Sequence, residues 1–267
     1  MAHEQLPKHQ RTLASGVPSA PPGTIFVLAV TGGVTVRPQD GRTVRFGRNL
    51  PDVDVCVGVD DIRVSRQQGV LRHRQGFWWI SNTGRSPIRL PSSRWLFSND
   101  EPIPLQPGYT PVFVRGSRHR EHLLEVYVAG PDGGRPALRP GDVTEPPRTW
   151  RLSPDERLAL VVLGQRYLLH EAHPQPLSRQ QVAEQLAELR PAANWTVKRV
   201  EHLVADVRSR LSAGGVHGLV REEVNEPVGN ALNDNLLREL VLSTTLVPRD
   251  LDLLDEPPEP LDEPPGR

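Results

Sequence analysis

One cysteine, Cys56, in 267 residues excludes an intramolecular disulfide and a cysteine-rich zinc site. An excess of either charge is also missing. Thirty-two basic and 32 acidic side chains cancel, so the whole chain is no electrostatic adhesive for nucleic acid or an anionic membrane. Long apolar runs are absent: residues 25–30 and 158–163 are among the longest, far below the roughly 20 residues of a membrane helix. No charged-then-apolar segment opens the chain, and the reading is a cytoplasmic protein with no membrane attachment. Lysine is nearly absent, with only Lys8 and Lys198; arginine is the better bidentate phosphate ligand, but the bias is read as the mark of a GC-rich genome and carries no functional weight. Hydrolase, nucleotide-binding, zinc-protease and calcium-loop signatures are all missing, and Cys56 has no nucleophile context. The expectation is a non-enzymatic protein without cofactor or metal. Two histidine pairs, His119 with His122 and His170 with His173, are read as surface groups rather than metal ligands.

What is present falls into five segments, cut where proline and glycine cluster. Residues 1–23 are polar and aperiodic and are read as a disordered leader. Residues 24–129 hold fourteen arginines against nine acids, a net of +5. Their apolar residues come in short runs broken by Gly, Pro, Asn or Asp, which is all-β patterning. Strands are expected at 24–30, 34–37, 43–46, 53–57, 67–73, 76–81, 88–90, 111–115 and 122–128, together a sandwich. Residues 130–149 are a Pro/Gly-rich linker.

From Trp150 the period becomes helical, and residues 150–248 form the second folded segment. Ser153 with Glu156 and Ser178 with Gln181 each spell a capping box, and Pro154 stands at a first helical position. Val182, Leu186 and Leu189 share a face of the second helix. A third helix is expected after Asn194, with Val197, Val200, Val204, Val207 and Leu211 on one stripe and Gly214-Gly215 as its stop. An apolar strand at 218–221 and a leucine-rich helix around Leu236, Leu237 and Leu240 follow. Residues 249–267, net −5, are read as an extended acidic tail.

Within residues 24–129 three motifs occur in order: Phe46-Gly47-Arg48-Asn49 after a strand, Val64-Ser65-Arg66-Gln67-Gln68 opening another, and Asn82-Thr83-Gly84-Arg85-Ser86 closing a third. Together they resemble a forkhead-associated domain. The resemblance implies an eleven-stranded β-sandwich whose loops at one end bind phosphothreonine peptides without performing chemistry on them. It assigns Arg48 as the principal phosphate ligand, Ser65 as a hydroxyl donor, Arg66 as a flanking donor and Ser86 as a further hydroxyl, with Arg85 as a second guanidinium or a solvated side chain. A phosphate dianion needs such convergent charge-assisted donors. Two positions depart from the family: Gln68 stands for its histidine and Pro87 for its peptide-gripping asparagine. Gln68 can still brace the loop, whereas Pro87 supplies neither a side-chain amide nor an N–H.

Three helices followed by an apolar strand look like the winged helix-turn-helix of many bacterial regulators. That likeness implies a reading helix whose Asn194, Thr196, Lys198, Arg199 and His202 enter a DNA groove, with Arg208 and Arg210 on phosphates. Eleven bases against twelve acids over residues 150–248 leave a protein-docking role equally open. The expected partner is a threonine-phosphorylated protein, either a kinase or a kinase substrate, with DNA or a phosphate-independent scaffold as alternatives. Thr144, Thr149, Thr244 and Thr245 are candidate kinase targets within the chain itself.

Overall fold

Two periods in the sequence, 2 and then 3.6, become two units in the computed structural model, which describes residues 3–7, 10–131, 149–171, 173–224 and 228–255. The division falls between Thr149 and Trp150, with Val247–Arg249 belonging to the first unit. Most of the linker, including Thr144, and residues 256–267 lie outside the described residues.

The first unit is a β-sandwich of twelve strands among the described residues: β1 (Glu4–Gln5), β2 (Ile25–Ala29), β3 (Gly32–Val36), β4 (Thr43–Gly47), β5 (Val55–Cys56), β6 (Gly69–Arg74), β7 (Phe77–Asn82), β8 (Ile88–Leu90), β9 (Arg94–Leu96), β10 (Ile103–Leu105), β11 (Gly108–Arg115) and β12 (Glu121–Val128). One sheet runs β1-β3-β2-β12-β11-β8-β9 and the other β10-β7-β6-β4-β5. Every pairing is antiparallel except β4 with β5. Alternation places Val44, Phe46, Leu71, Trp78 and Ile80 of the second sheet against Ile25, Val27, Val112, Val114 and Leu124 of the first. The Trp78 indole, 1% exposed, donates to the Gly23 carbonyl at 2.8 Å.

The nine expected strands all lie on observed ones, and β1, β9 and β10 are additional. Excluding β1, residues 24–129 hold eleven strands.

The leader departs from expectation. Glu4–Gln5 pairs with β3, and Leu6 and Leu13 are buried with Phe26, Leu28, Tyr109 and Tyr127 in a second cluster on the outer side of the seven-stranded sheet. The reason lies in β2, where all five residues are buried. A strand apolar on both faces needs a second cover, and the leader supplies it. The buried Glu125 carboxylate accepts from the Thr12 hydroxyl at 2.5 Å, the Leu13 N–H at 3.2 Å and the Tyr109 hydroxyl at 2.9 Å. Leu13→Ala is therefore expected to cost about 2 kcal/mol, the low end for a buried leucine because the segment can settle. An unchanged midpoint in urea denaturation would show that the leader contributes nothing.

The second unit contains α1 (Pro154–Leu168), α2 (Arg179–Leu189), α3 (Val197–Ala213) and α4 (Ala231–Leu242). Both expected capping boxes are formed, at Ser153/Glu156 and Ser178/Gln181. The central helix is α1, with nine buried residues from Leu158 to Leu168. At Gly164 an added Cβ would lie 2.5 Å from Leu237, so α1 and α4 touch there. α3 starts later than expected, with Thr196 as its N-cap and Asn194 outside it in the left-handed region.

The strand expected at 218–221 does not form, and no strand occurs among the described residues of this unit. The Glu223 carboxylate accepts from the Gly218 and Leu219 N–H groups at 2.6 and 3.3 Å, and Asn235 donates to the Gly218 carbonyl. Side chains thus satisfy the backbone that a second strand would have paired.

The start of the acidic segment is also ordered. Pro248–Leu254 forms a 3-10 helix, Leu251, Leu253 and Leu254 pack on the helical core, and buried Asp250 pairs with Arg157 at 2.9 Å. Thr244 and Thr245 are only 2% and 3% exposed. Thr245 Oγ1 accepts from the Trp150 N–H, and burial removes both threonines as kinase targets in the folded unit.

Candidate functional site

Three loops at one end of the sandwich carry the motifs, and backbone bonds join them. The Arg48 N–H donates to the Ser65 carbonyl at 3.1 Å, and the Asn49 N–H to the Arg66 carbonyl at 3.3 Å. Gly47 makes that approach possible, since a Cβ there would stand 2.3 Å from the Arg66 carbonyl oxygen. From the other side, the Val57 N–H donates to the Gly47 carbonyl and the Cys56 thiol to the Arg48 carbonyl at 3.4 Å. Burial pushes the Cys56 thiol pKa up, which keeps it a neutral donor here. The third loop joins through the Arg85 N–H, which donates to Ser65 Oγ at 3.0 Å.

Gln68, fully buried, is the hub. Its Nε2 donates to Asn82 Oδ1 and to the Ser86 carbonyl, both at 2.8 Å, and its Oε1 accepts from the Ser65 N–H at 3.0 Å. Its carbonyl accepts from the Thr83 and Gly84 N–H groups. Glycine is required at 84, where a Cβ would fall 2.6 Å from the Gln68 amide. Asn82 completes the brace by donating to the Ser86 and Leu96 carbonyls. The departure at Gln68 therefore leaves a fully hydrogen-bonded support.

On this frame the side chains divide. Arg48 is half-buried, and its guanidinium Nε is buried with no hydrogen-bond partner. Arg66 and Arg85 are exposed, and none of the three forms an ion pair among the described residues. Ser65 uses its oxygen as an acceptor, leaving its hydroxyl hydrogen to donate. Ser86 is different: it is buried, and its hydroxyl donates to the Arg63 carbonyl at 2.9 Å. The expectation that it faces a ligand is corrected, because its hydroxyl hydrogen is already donated to the Arg63 carbonyl. Pro87 has a structural role as well, its carbonyl accepting from the Arg115 N–H.

Sequence reasoning missed a charged cluster beside these loops. Asp61, 1% exposed, accepts from the Arg63 and Ser117 N–H groups, from Arg120 at 3.1 Å and from His122 at 2.9 Å. His122 is itself buried rather than on the surface. Burial alone would raise the Asp61 carboxyl, but His122 and the two backbone N–H groups hold it well below the usual carboxylate range. Its stabilising contribution is complete above about pH 4, the ordinary carboxylate pKa, and fades as pH falls toward the depressed folded value. Asp61→Asn should flatten the acid-side decline of melting temperature. Parallel declines in the two proteins would show that Asp61 is not the titrating group.

In the helical unit, Thr196, Lys198, Arg199 and His202 line one open cleft of about 550 Å³, shared with Asp155, Glu156 and Asp206. Asn194 is exposed before the helix. Arg199 is already engaged: it reaches the Ala193 carbonyl, pairs with Asp155 at 2.7 Å and stacks 4.1 Å from the Trp195 ring. Arg210 forks onto Glu156 at 2.9 and 3.0 Å. Burial opposes the Glu156 charge, but Arg210 and Ser153 lower its pKa nonetheless. Arg208 keeps a buried Nε without a hydrogen-bond partner, and burial, then Arg179 and Arg221, lower its pKa. Of the cations expected at DNA, Arg199 of the groove-reading set and Arg210 of the phosphate pair are thus ion-paired within the unit. Among the described residues no group of three or more His, Cys, Asp or Glu could hold a metal, and no helix is long and apolar enough to cross a membrane.

No protein-family model matches the chain, and no curated protein matches it. Among solved structures it is similar to the FHA-1 domain of Rv1747 from Mycobacterium tuberculosis, at 21% identity over 40% of this chain and 98% of that one, with a TM-score of 0.33. It is similar to the FHA domain of an Arabidopsis thaliana hypothetical protein, at 16% identity over 47% of this chain and 98% of that one, TM-score 0.34. It is also similar to the N-terminal FHA domain of Rad53p from S. cerevisiae, solved with a phosphothreonine peptide, at 16% identity over 39% and 93%, TM-score 0.31.

Proposed function

We propose that the β-sandwich binds a threonine-phosphorylated protein, performs no chemistry on it, and recruits the chain to that partner when a kinase has acted. One observation carries the reading: the Arg48 guanidinium has a buried Nε without a partner, on a loop held from both sides by backbone bonds. Around it, Arg66, Arg85 and the Ser65 hydroxyl remain available. A phosphothreonine brings about −1.5 to −2 charges and three acceptor oxygens, the complement of these donors. Pro87 supplies no amide, so selectivity rests on the phosphate and on side chains around it rather than on a grip of the peptide backbone at that position.

For the helical unit, protein docking is favoured over DNA binding, because Arg199 and Arg210 are paired with Asp155 and Glu156 in or beside the cleft. A DNA reader of this kind would leave such arginines free for phosphate. Titration of the full chain against a degenerate phosphothreonine peptide library and its unphosphorylated counterpart tests the first reading. Selective binding of the phosphorylated library is expected. Equal binding of both libraries would leave a phosphate-independent scaffold.

A further inference from the structure

The outer face of the five-stranded sheet has a composition that neither core nor phosphate loops explain. Along β6, Leu71 and His73 point into the sandwich while Arg72 and Arg74 are exposed. Along β7, Trp78 and Ile80 point in, leaving Phe77, Trp79 and Ser81 on the outer side. On β4, Val44 and Phe46 are buried and Arg45 is exposed. The register aligns Trp79, Arg72 and Thr43 across three strands, with Phe77 opposite Arg74 and Ser81, Val70 and Arg45 in the next row.

Three guanidinium groups and two aromatic rings thus share one pleated surface. The five strands contain no aspartate or glutamate. The nearby acids lie in flanking segments: Asp54, 3.2 Å from His3, accepts from the Arg45 N–H at 2.7 Å, and Asp40 stands 3.1 Å from His73.

From this juxtaposition we infer that the face binds a single strand of nucleic acid. Arg72 and Arg74, two residues apart on one strand, project about 7 Å from each other and with Arg45 form a basic track for a phosphate backbone. Phe77 is 47% exposed, and Trp79 carries the Arg74 guanidinium 4.4 Å from its ring centroid. Phe77 is a flat platform on which an unpaired base stacks with little regard to sequence, while Trp79, with the Arg74 guanidinium on its ring, holds that cation at the surface. A second copy of the chain is disfavoured as occupant, because its identical face would bring arginines against arginines. The surface is separate from the Arg48 loops, so this inference stands or falls independently of the phosphothreonine reading.

Fluorescence anisotropy of a labelled oligothymidylate about 15 nucleotides long, titrated with the full chain at low and moderate salt, tests it. Binding is expected to weaken linearly in log salt. Arg72→Glu/Arg74→Glu should weaken it at least about tenfold, and Arg72→Gln/Arg74→Gln should lower the salt slope by about 2. Phe77→Ala should weaken it about threefold to tenfold with the salt slope unchanged. The glutamine pair also serves if charge reversal perturbs folding, which the melting temperature reports. A duplex of the same length should bind more weakly, because its bases are already stacked. No anisotropy change, a change insensitive to both arginine pairs, equal affinity for duplex, or displacement by polyglutamate at matched charge would each overturn the inference, the last in favour of an acidic protein partner.

Discussion

Arg48→Ala is expected to reduce phosphothreonine-peptide affinity by at least about 2 kcal/mol, roughly thirtyfold, with little change in melting temperature. The two halves of that result have separate causes. Affinity falls because the charged fork that would meet the phosphate is removed, while Arg66 and Arg85, both exposed, retain only screened attraction. Stability is spared because the guanidinium Nε has no protein partner to lose, and the backbone bonds from Arg48 to Ser65 and from Asn49 to Arg66 do not depend on the side chain. Arg48→Lys should fall between, keeping the charge but not the planar fork. Isothermal titration of both variants with one selected phosphopeptide measures the difference. Wild-type affinity in the alanine variant would place the phosphate site elsewhere.

Gln68→Leu should act on stability as well, destabilising the sandwich by about 2–3 kcal/mol, because one N–H is orphaned at about 1–3 kcal/mol and two buried oxygens each keep only one of two donors. The Ser65 N–H loses its acceptor, and the Ser86 carbonyl and Asn82 Oδ1 each lose a donor. Leucine is close to glutamine in size, so packing changes little and the loss reports the hydrogen bonds. Phosphopeptide affinity should fall as well, since Ser65 and the Arg85 loop are positioned through this amide. Gln68→His, restoring the side chain typical of the family the motifs resemble, should cost less than Gln68→Leu, because a ring nitrogen can replace part of the bonding. Urea midpoints of the three proteins give the order, and a leucine variant as stable as wild type would show that Gln68 is not the brace.

The local signals were legible because short-range physics decides them. Ser153 and Ser178 have a glutamate or glutamine three residues on, and nothing beyond one helical turn is needed for a capping box to close. Alternation marked the inward set of β4, β6 and β7 for the same reason, since pleating alone sends Val44, Leu71 and Trp78 to one side. The motif order also pointed to Arg48, Ser65, Arg66 and Arg85 as neighbours, although the loops are joined only by bonds across sequence gaps such as Arg85 to Ser65.

Other features depended on partners distant in the chain. Leu13 in a polar leader has no local period, and only the doubly apolar β2, covered on one side by the opposite sheet, calls for it. Residues 218–221 read as a strand by composition, yet Glu223 and Asn235 bond the backbone of Gly218 and Leu219 in place of a partner strand. Ser86 and His122 have residue types suited to binding, and the tertiary structure buried both, one on the Arg63 carbonyl and one on Asp61. By itself the sequence determined the two periods, the helix starts and the candidate phosphate ligands, all set within a few residues. Tertiary structure decided which of those polar groups remain free, because a hydrogen-bond donor is available to a ligand only when no group brought in from elsewhere in the chain has taken it.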